Sequence, residues 1–309
     1  MKTLNTYINE WKYQAPKPEY KSNSKSNERT IINNKESLKS LIDQRYYINK
    51  SKIDLSDINV KHIEDFSELF RDFADVETIN ISGWDLTNAS TLRQLFYGCK
   101  NLKEIIGIED LNVFYIRDMS YMFYFCSSLK NLNLSKWKPY NLTDVSRMFM
   151  DCHSLETIVG LEQWPTDNLD LCESMCCRCK SLQRINLSKW KFTKVQSLAS
   201  MFHDCELLDT VDLSKTKVTN VMSMTSMFCG CKKLKHVYTK GMKPKKLSYI
   251  SRMFSGCYNL YDLDINDWSE YFDINKLGNI ADAFKDCMDS VIPQWYKQRQ
   301  NEENKLIQN

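Results

Sequence analysis

Cysteine is the residue through which this chain could do the most chemistry. There are 12 cysteines and only 4 histidines, and a thiol can serve as nucleophile, disulfide partner or metal ligand. The densest group is Cys172, Cys176, Cys177 and Cys179, which contains one Cys-x-x-Cys pair, half of a tetrahedral zinc site. A complete site needs four converging ligands, and no second such pair lies nearby. Register offers a simpler account: Cys172 and Cys176 take ordinary apolar positions, Cys179 belongs to a regular series, and only Cys177 falls off the stripe. His62, His153, His203 and His236 fit no metalloprotease, nucleophile-elbow or phosphate-loop pattern. The expectation is a non-enzymatic chain with no metal site and no cofactor. An enzyme or metal-dependent regulator using Cys172–Cys179 is the rival reading.

A repeat positions these thiols. Cys99, Cys126, Cys152, Cys179, Cys205, Cys231 and Cys257 are separated by 27, 26, 27, 26, 26 and 26 residues. Cys287 follows after 30, and Phe73 stands 26 residues before Cys99. Met122-Phe123, Met148-Phe149, Met201-Phe202, Met227-Phe228 and Met253-Phe254 precede their cysteines at one fixed offset. Downstream, Leu129, Leu132, Leu134 and Trp137 are echoed by Leu182, Ile185, Leu187 and Trp190. A period in this range marks a solenoid or an array.

Each unit carries two shorter periodicities. Leu198, Met201, Phe202, Cys205 and Leu208 fall at i, i+3, i+4, i+7 and i+10, which predicts a short helix. Ile185-Asn186-Leu187, Val211-Asp212-Leu213 and Leu263-Asp264-Ile265 alternate as short strands do. Neither piece buries its apolar side alone, so the units must stack. Stacked strands sit ~4.8 Å apart, whereas packed helices need ~8–10 Å. The mismatch predicts a curved α/β repeat: a leucine-rich-repeat solenoid of about nine helix–strand coils of ~26 residues. Parallel strands would line the concave wall and short helices the outside. Rungs that far apart on the helical side would hold the ladder thiols beyond disulfide reach, buried as core packing.

The units resemble those of the BspA-like leucine-rich-repeat family. Met122-Phe123-Tyr-Phe-Cys126-Ser-Ser-Leu129-Lys-Asn-Leu132-Asn-Leu134-Ser135-Lys-Trp137 follows the family pattern nearly throughout, and the resemblance covers about residues 52–295. Cys176 replaces the phenylalanine in one coil, and Thr216 and Thr239 depart from the pattern. The resemblance implies a binding scaffold without a common catalytic site, of a type found in bacterial surface adhesins and in bacteriophages of gut bacteria. A phage virion component is the expectation on that analogy, with a cell-surface adhesin as its rival.

Forty-two basic against 39 acidic side chains leave a formal charge of +3, so no global field steers the chain to nucleic acid or membrane. No window approaches the ~20 apolar residues of a membrane span, and the first residues lack an export signal. A cytoplasmic or virion-associated location is expected. No specific nucleic-acid motif is present. Charge acts locally. Lys136 and Lys138, Lys189 and Lys191, and Lys215 and Lys217 recur at matching repeat positions, and the next coil adds Lys240, Lys243, Lys245 and Lys246. They should form a basic stripe able to hold an anionic partner, unless they serve solubility alone. The concave wall would present Asn80, Asn133, Arg184, Asn186, Asp212, Tyr238 and Asp264 either to a protein partner or merely to water.

The remaining pieces frame this body. Residues 1–13 carry Leu4, Tyr7, Ile8 and Trp11 on one apolar stripe, a tether helix suited either to docking on another protein or to folding back on the solenoid. Residues 14–34 read as a flexible linker. Residues 35–65 read as an N-terminal cap and the start of the first coil. Residues 66–296 form the solenoid with its C-terminal cap, and 297–309 a polar tail.

Overall fold

The computed structural model describes residues 29–308; the proposed tether at Leu4, Tyr7, Ile8 and Trp11 lies outside the described residues. The chain winds into a parallel β-solenoid of nine turns. Along one flank run the strands β2 (Lys52–Asp54), β4 (Thr78–Asn80), β5 (Glu104–Ile106), β6 (Asn131–Asn133), β7 (Thr157–Val159), β8 (Arg184–Asn186), β9 (Thr210–Asp212), β10 (His236–Tyr238) and β11 (Asp262–Leu263). Pairing is parallel and in register wherever the step is 26 residues, as in Thr78↔Glu104 and Arg184↔Thr210. It is interrupted between β5 and β6 and between β7 and β8, the two places where the step is 27.

Each longer step absorbs its extra residue at a glycine. Gly107 and Gly160 adopt φ of 89° and 101°, and each opens a single 3-10 turn, Ile108–Asp110 and Leu161–Gln163. A Cβ on Gly160 would lie 2.4 Å from the Ser135 Cα. Only glycine combines that backbone angle with that approach.

The opposite flank corrects the expected architecture. The segments around the ladder cysteines are stacked turns, not helices. Their internal bonds run from i to i−3, as in Arg71→Glu68 and Phe73→Phe70, while every second amide donates to the next coil: Phe66→Thr91, Glu68→Arg93, Phe70→Leu95. The fifth residue and the residue immediately before each rung have positive φ, for example Gln94 and Gly98, or Ser200 and Asp204. Left-handed residues at a spacing of four are incompatible with an α-helix. The inward positions nonetheless keep the spacing that mimics one, and Leu198, Met201, Phe202 and Cys205 are fully buried.

Both flanks therefore rise by one strand spacing per coil, and the mismatch that would have bent the stack disappears. Phe70, Phe96, Phe123 and Phe149 stack at 5.3, 5.5 and 5.6 Å between ring centroids. Cys176 interrupts the file, which resumes from Phe202 through Phe228 to Phe254 at 5.5 and 5.2 Å. Trp137, Trp164 and Trp190 form a second file at 5.8 and 6.2 Å. Offset aromatic contacts at these distances contribute beyond the area they bury.

The ends are closed. Helix α1 (Lys35–Ile48) is capped by Asn34 and buries Leu38 and Ile42 against the first coil, while Tyr46 stacks on Phe73 at 4.1 Å. Two short strands beside it, β1 (Thr30–Ile31) and β3 (Ile58–Asn59), pair in parallel. At the far end, helix α2 (Gln294–Gln308) takes in the segment expected as a polar tail. Its Trp295 donates to the Ile265 carbonyl at 3.0 Å and Tyr296 to that of Ile280 at 3.2 Å.

Candidate functional site

The thiols are occupied by the fold. The described cysteines are all free, and 11 of the 12 are buried, Cys287 being half-buried. Each ladder Sγ donates to the carbonyl three residues before the previous rung: Cys126 to Phe96 at 3.1 Å, Cys152 to Phe123 at 3.0 Å, Cys231 to Phe202 at 3.0 Å. The rungs sit a strand spacing apart, so the expected ~8–10 Å separation does not hold. Parallel orientation and the sulfur–carbonyl bonds now keep neighbours unbridged. Burial pushes these thiols far above the ordinary range, as at Cys99, Cys152 and Cys205, which suppresses the nucleophilic thiolate. In the dense group Cys172, Cys176 and Cys179 belong to the core cluster, and Cys177, buried but outside that cluster, has its thiol pushed up by burial to about 11. Among the described residues no group of three or more His, Cys, Asp or Glu side chains is placed to hold a metal ion.

On the strand flank, the residues expected to project split into two kinds. The side-chain oxygens of Asn80, Asn133, Asn186 and Asp212 accept from the backbone amides of Ser82, Ser135, Ser188 and Ser214, at 3.0, 3.2, 2.9 and 2.8 Å. These are Asx turns that carry the chain out of each strand. Asn80 and Asp212 are buried, which corrects their assignment to an exposed wall. Arg184, Asn186 and Tyr238 are half-buried, and Asn133 and Asp264 exposed.

One cluster on this flank was not anticipated. His236 lies between Asp262, 2.8 Å from Nδ1, and the Tyr261 hydroxyl, 3.1 Å from Nε2. The Tyr238 ring stacks beside it at 5.9 Å. Burial raises the Tyr238 phenol, with the carboxylates of Asp262 and Asp212 adding to it. Nearby, burial disfavours the Asp209 charge, yet Lys235 at 2.6 Å and Thr210 hold its carboxyl below the usual range. The cluster is a fixed array of hydrogen-bonding groups.

The turn flank carries a second surface that the sequence reading missed. Arg71 lies over Tyr97 at 4.7 Å, Tyr97 stacks on Tyr124 at 4.8 Å, and Tyr121 sits between Arg93 and Arg147 at 5.9 and 5.3 Å. Behind them Asp151, buried, binds Arg178 through two bonds of 2.5 and 2.6 Å, with His153 at 3.4 Å. Donating these bonds to Asp151 raises the Arg178 guanidinium pKa. Each guanidinium is answered from within by a ring or a carboxylate. The signal was legible: Arg71, Tyr97 and Tyr124 each stand two residues before a rung, so in-register stacking must bring them together.

The basic stripe lies along the turn after the strands. Lys136 pairs with Asp110 and Lys191 with Asp167 at 2.5 Å, while Lys189 reaches Gln163 at 3.4 Å. Gln163 and Pro165 interrupt the file between Lys138 and Lys191. Beyond that break one file runs from Lys191 through Lys217 to Lys243, the backbones of Lys191 and Lys217 being bridged in register, while the parallel file of Lys189 and Lys215 ends at Gly241. Lys243 lies over Tyr271 at 5.3 Å.

No helix of the described residues is long and apolar enough to cross a membrane. No curated protein matches the chain. Among solved structures, a leucine-rich-repeat protein of T. pallidum is similar at 18% identity, with 77% of this chain and 88% of that chain covered and a TM-score of 0.39. One from Eubacterium ventriosum shares 11% identity over 86% and 91% of the two chains, TM-score 0.38. A leucine-rich cell surface protein of Faecalibacterium prausnitzii shares 13% over 74% and 83%, TM-score 0.24. The model of a repeat family matches twice, over residues 64–186 and 172–295, and so spans both the arginine–tyrosine face and the lysine edge. The chain belongs to that family, DUF285, described as Mycoplasma protein of unknown function.

Proposed function

We propose that this protein is a non-enzymatic recognition scaffold that binds a protein partner along its strand flank. The observation that carries this reading is the division of labour within each coil. The inward file repeats the same sulfur and aromatic rungs, whereas the outward file changes from rung to rung, through Thr157, Arg184, Thr210, His236 and Asp262. An invariant frame that displays a varied, in-register surface is how repeat proteins build extended binding faces. The His236–Asp262–Tyr261 cluster supplies an oriented polar anchor on that face. Placement within a larger assembly such as a phage virion, and the N-terminal peptide as its attachment point, extend this reading. They rest on the BspA-like repeat motif and on the apolar spacing of residues 4–11 respectively.

Photo-crosslinking residues at positions 184 and 236 on the strand flank, and at 207 and 258 on the turn flank, test the proposal in extract from the source cells. A saturable product from the strand flank alone, competed by unlabelled protein, is expected. Equal crosslinking from both flanks, or turnover of a small-molecule substrate by the purified chain, would overturn it.

A further inference from the structure

One rule recurs among the lysine ion pairs of this solenoid: the acid sits one rung before, 26 residues off in sequence. Lys103 meets Glu77 at 2.9 Å, Lys232 meets Glu206 at 3.1 Å, Lys235 meets Asp209 at 2.6 Å, and Lys136 meets Asp110. In one region the rule inverts. Lys191, Lys217 and Lys243 follow one another at 26-residue steps, with Lys189 and Lys215 in a parallel file. Lys215, Lys217 and Lys243 each have another lysine, at 189, 191 and 217, where the acid should stand. Asp167 closes the first end of the file on Lys191. Lys215, Lys217 and Lys245 form no ion pair among the described residues. Like charges directly opposite on adjacent strands ~4.8 Å apart are destabilising. Stacking cation on cation at one strand spacing is a cost that binding can offset.

We infer that this lysine edge is the binding site for an acidic polypeptide segment of the partner, whose carboxylates complete the missing half of each cross-rung pair. This names the partner class for the scaffold reading above and rests on it. Carboxylates already fill the role on the same frame, at Asp110 and Asp167. The edge offers little to nucleic-acid bases: its neighbouring ring, Tyr271, lies under Lys243, and Trp190 is fully buried, so the aromatic platform that single strands stack on is lacking.

The test uses the full chain and a fluorescent poly-glutamate peptide of about twenty residues, read by anisotropy across a salt series. The Lys215→Ser/Lys217→Ser/Lys245→Ser variant should bind about tenfold more weakly, with a shallower salt dependence. A control, Lys103→Ser/Lys232→Ser/Lys235→Ser, should stay within about twofold, because those lysines already hold carboxylates. A melting temperature for the edge variant equal to or above the parent's at low salt shows that folding is intact. Unchanged binding by the edge variant, no binding by the parent, or tighter binding of duplex DNA than of the peptide at equal salt would each overturn the inference. Strand-flank crosslinking is read separately, so the scaffold reading can stand where this one falls.

Discussion

The arginine–tyrosine face and the lysine edge are produced by one geometric rule and reach opposite electrostatic ends. In both, residues at equivalent repeat positions are brought to one strand spacing. Across Arg71, Tyr97, Tyr121, Tyr124 and Arg147 cations meet rings and not one another, and Asp151 anchors Arg178 behind them. Across Lys191, Lys217 and Lys243 the file places cation on cation. The first surface is satisfied within the molecule, whereas in the second Lys215 and Lys217 stand in no ion pair among the described residues. The lesson is that a repeat's function shows where neighbouring rungs fail to answer one another, not simply where charge is dense.

Perturbing the two surfaces should separate them. The largest effect belongs to Asp151→Asn, which removes the charged partner of Arg178 and should cost about 1.5–3 kcal/mol in urea unfolding. Tyr121→Ala removes the ring between two guanidinium groups and should cost about 1–2 kcal/mol by the same measurement; no loss would mean that the face is decorative. Next comes a carboxylate file that mirrors the lysine one. Asp118 and Asp144 are bridged in register, and burial lifts the Asp144 carboxyl, with Asp118 adding to it. A raised acid holds its proton more tightly in the fold, so its contribution is complete below the ordinary carboxylate pKa and is lost as pH rises through the raised value. Asp144→Asn keeps the acceptor for Ser146 and should raise the melting temperature by about 1–2 °C at pH 7. That gain should fade below about pH 4. Smallest is Lys217→Gln, which should raise the melting temperature by about 1 °C at low salt and not at all near 1 M. A drop instead would show the lysine to be internally satisfied.

Much of this molecule is legible in its sequence because a solenoid turns linear period into spatial contact. The rungs, the strands after them and the burial of Met, Phe and Cys follow from spacing alone. The helices did not, because inward positions at i, i+3, i+4 and i+7 arise equally from a stack of turns. What distinguishes the two is the residue before each rung, which is Gly or Asp at seven of nine coils (Asp72, Gly98, Asp151, Asp204, Gly230, Gly256 and Asp286), types that tolerate a left-handed backbone. The wall residues were half legible. Alternation places Asn80 and Asp212 outward, and a serine two residues on marks the Asx turn each makes, but the same turn leaves Asn133 exposed, so their burial is set by the neighbouring coils and not by the local pattern. The lysine edge could be read directly, whereas the arginine–tyrosine face required comparing rungs column by column.

The glycines at the two 27-residue steps divide the molecule unequally. Strand pairing lapses at Gly107 and Gly160, yet the stacked turns opposite remain stitched across both places, through Gly98 to Tyr124 and Asp151 to Cys177. The result is a book with a continuous spine and three leaves, of three, two and four strands. Trp137 and Trp190 nonetheless clasp the leaves, donating across the two lapses to the Ile108 and Leu161 carbonyls at 2.8 Å each, and the His236 cluster and the lysine edge lie together on the last leaf.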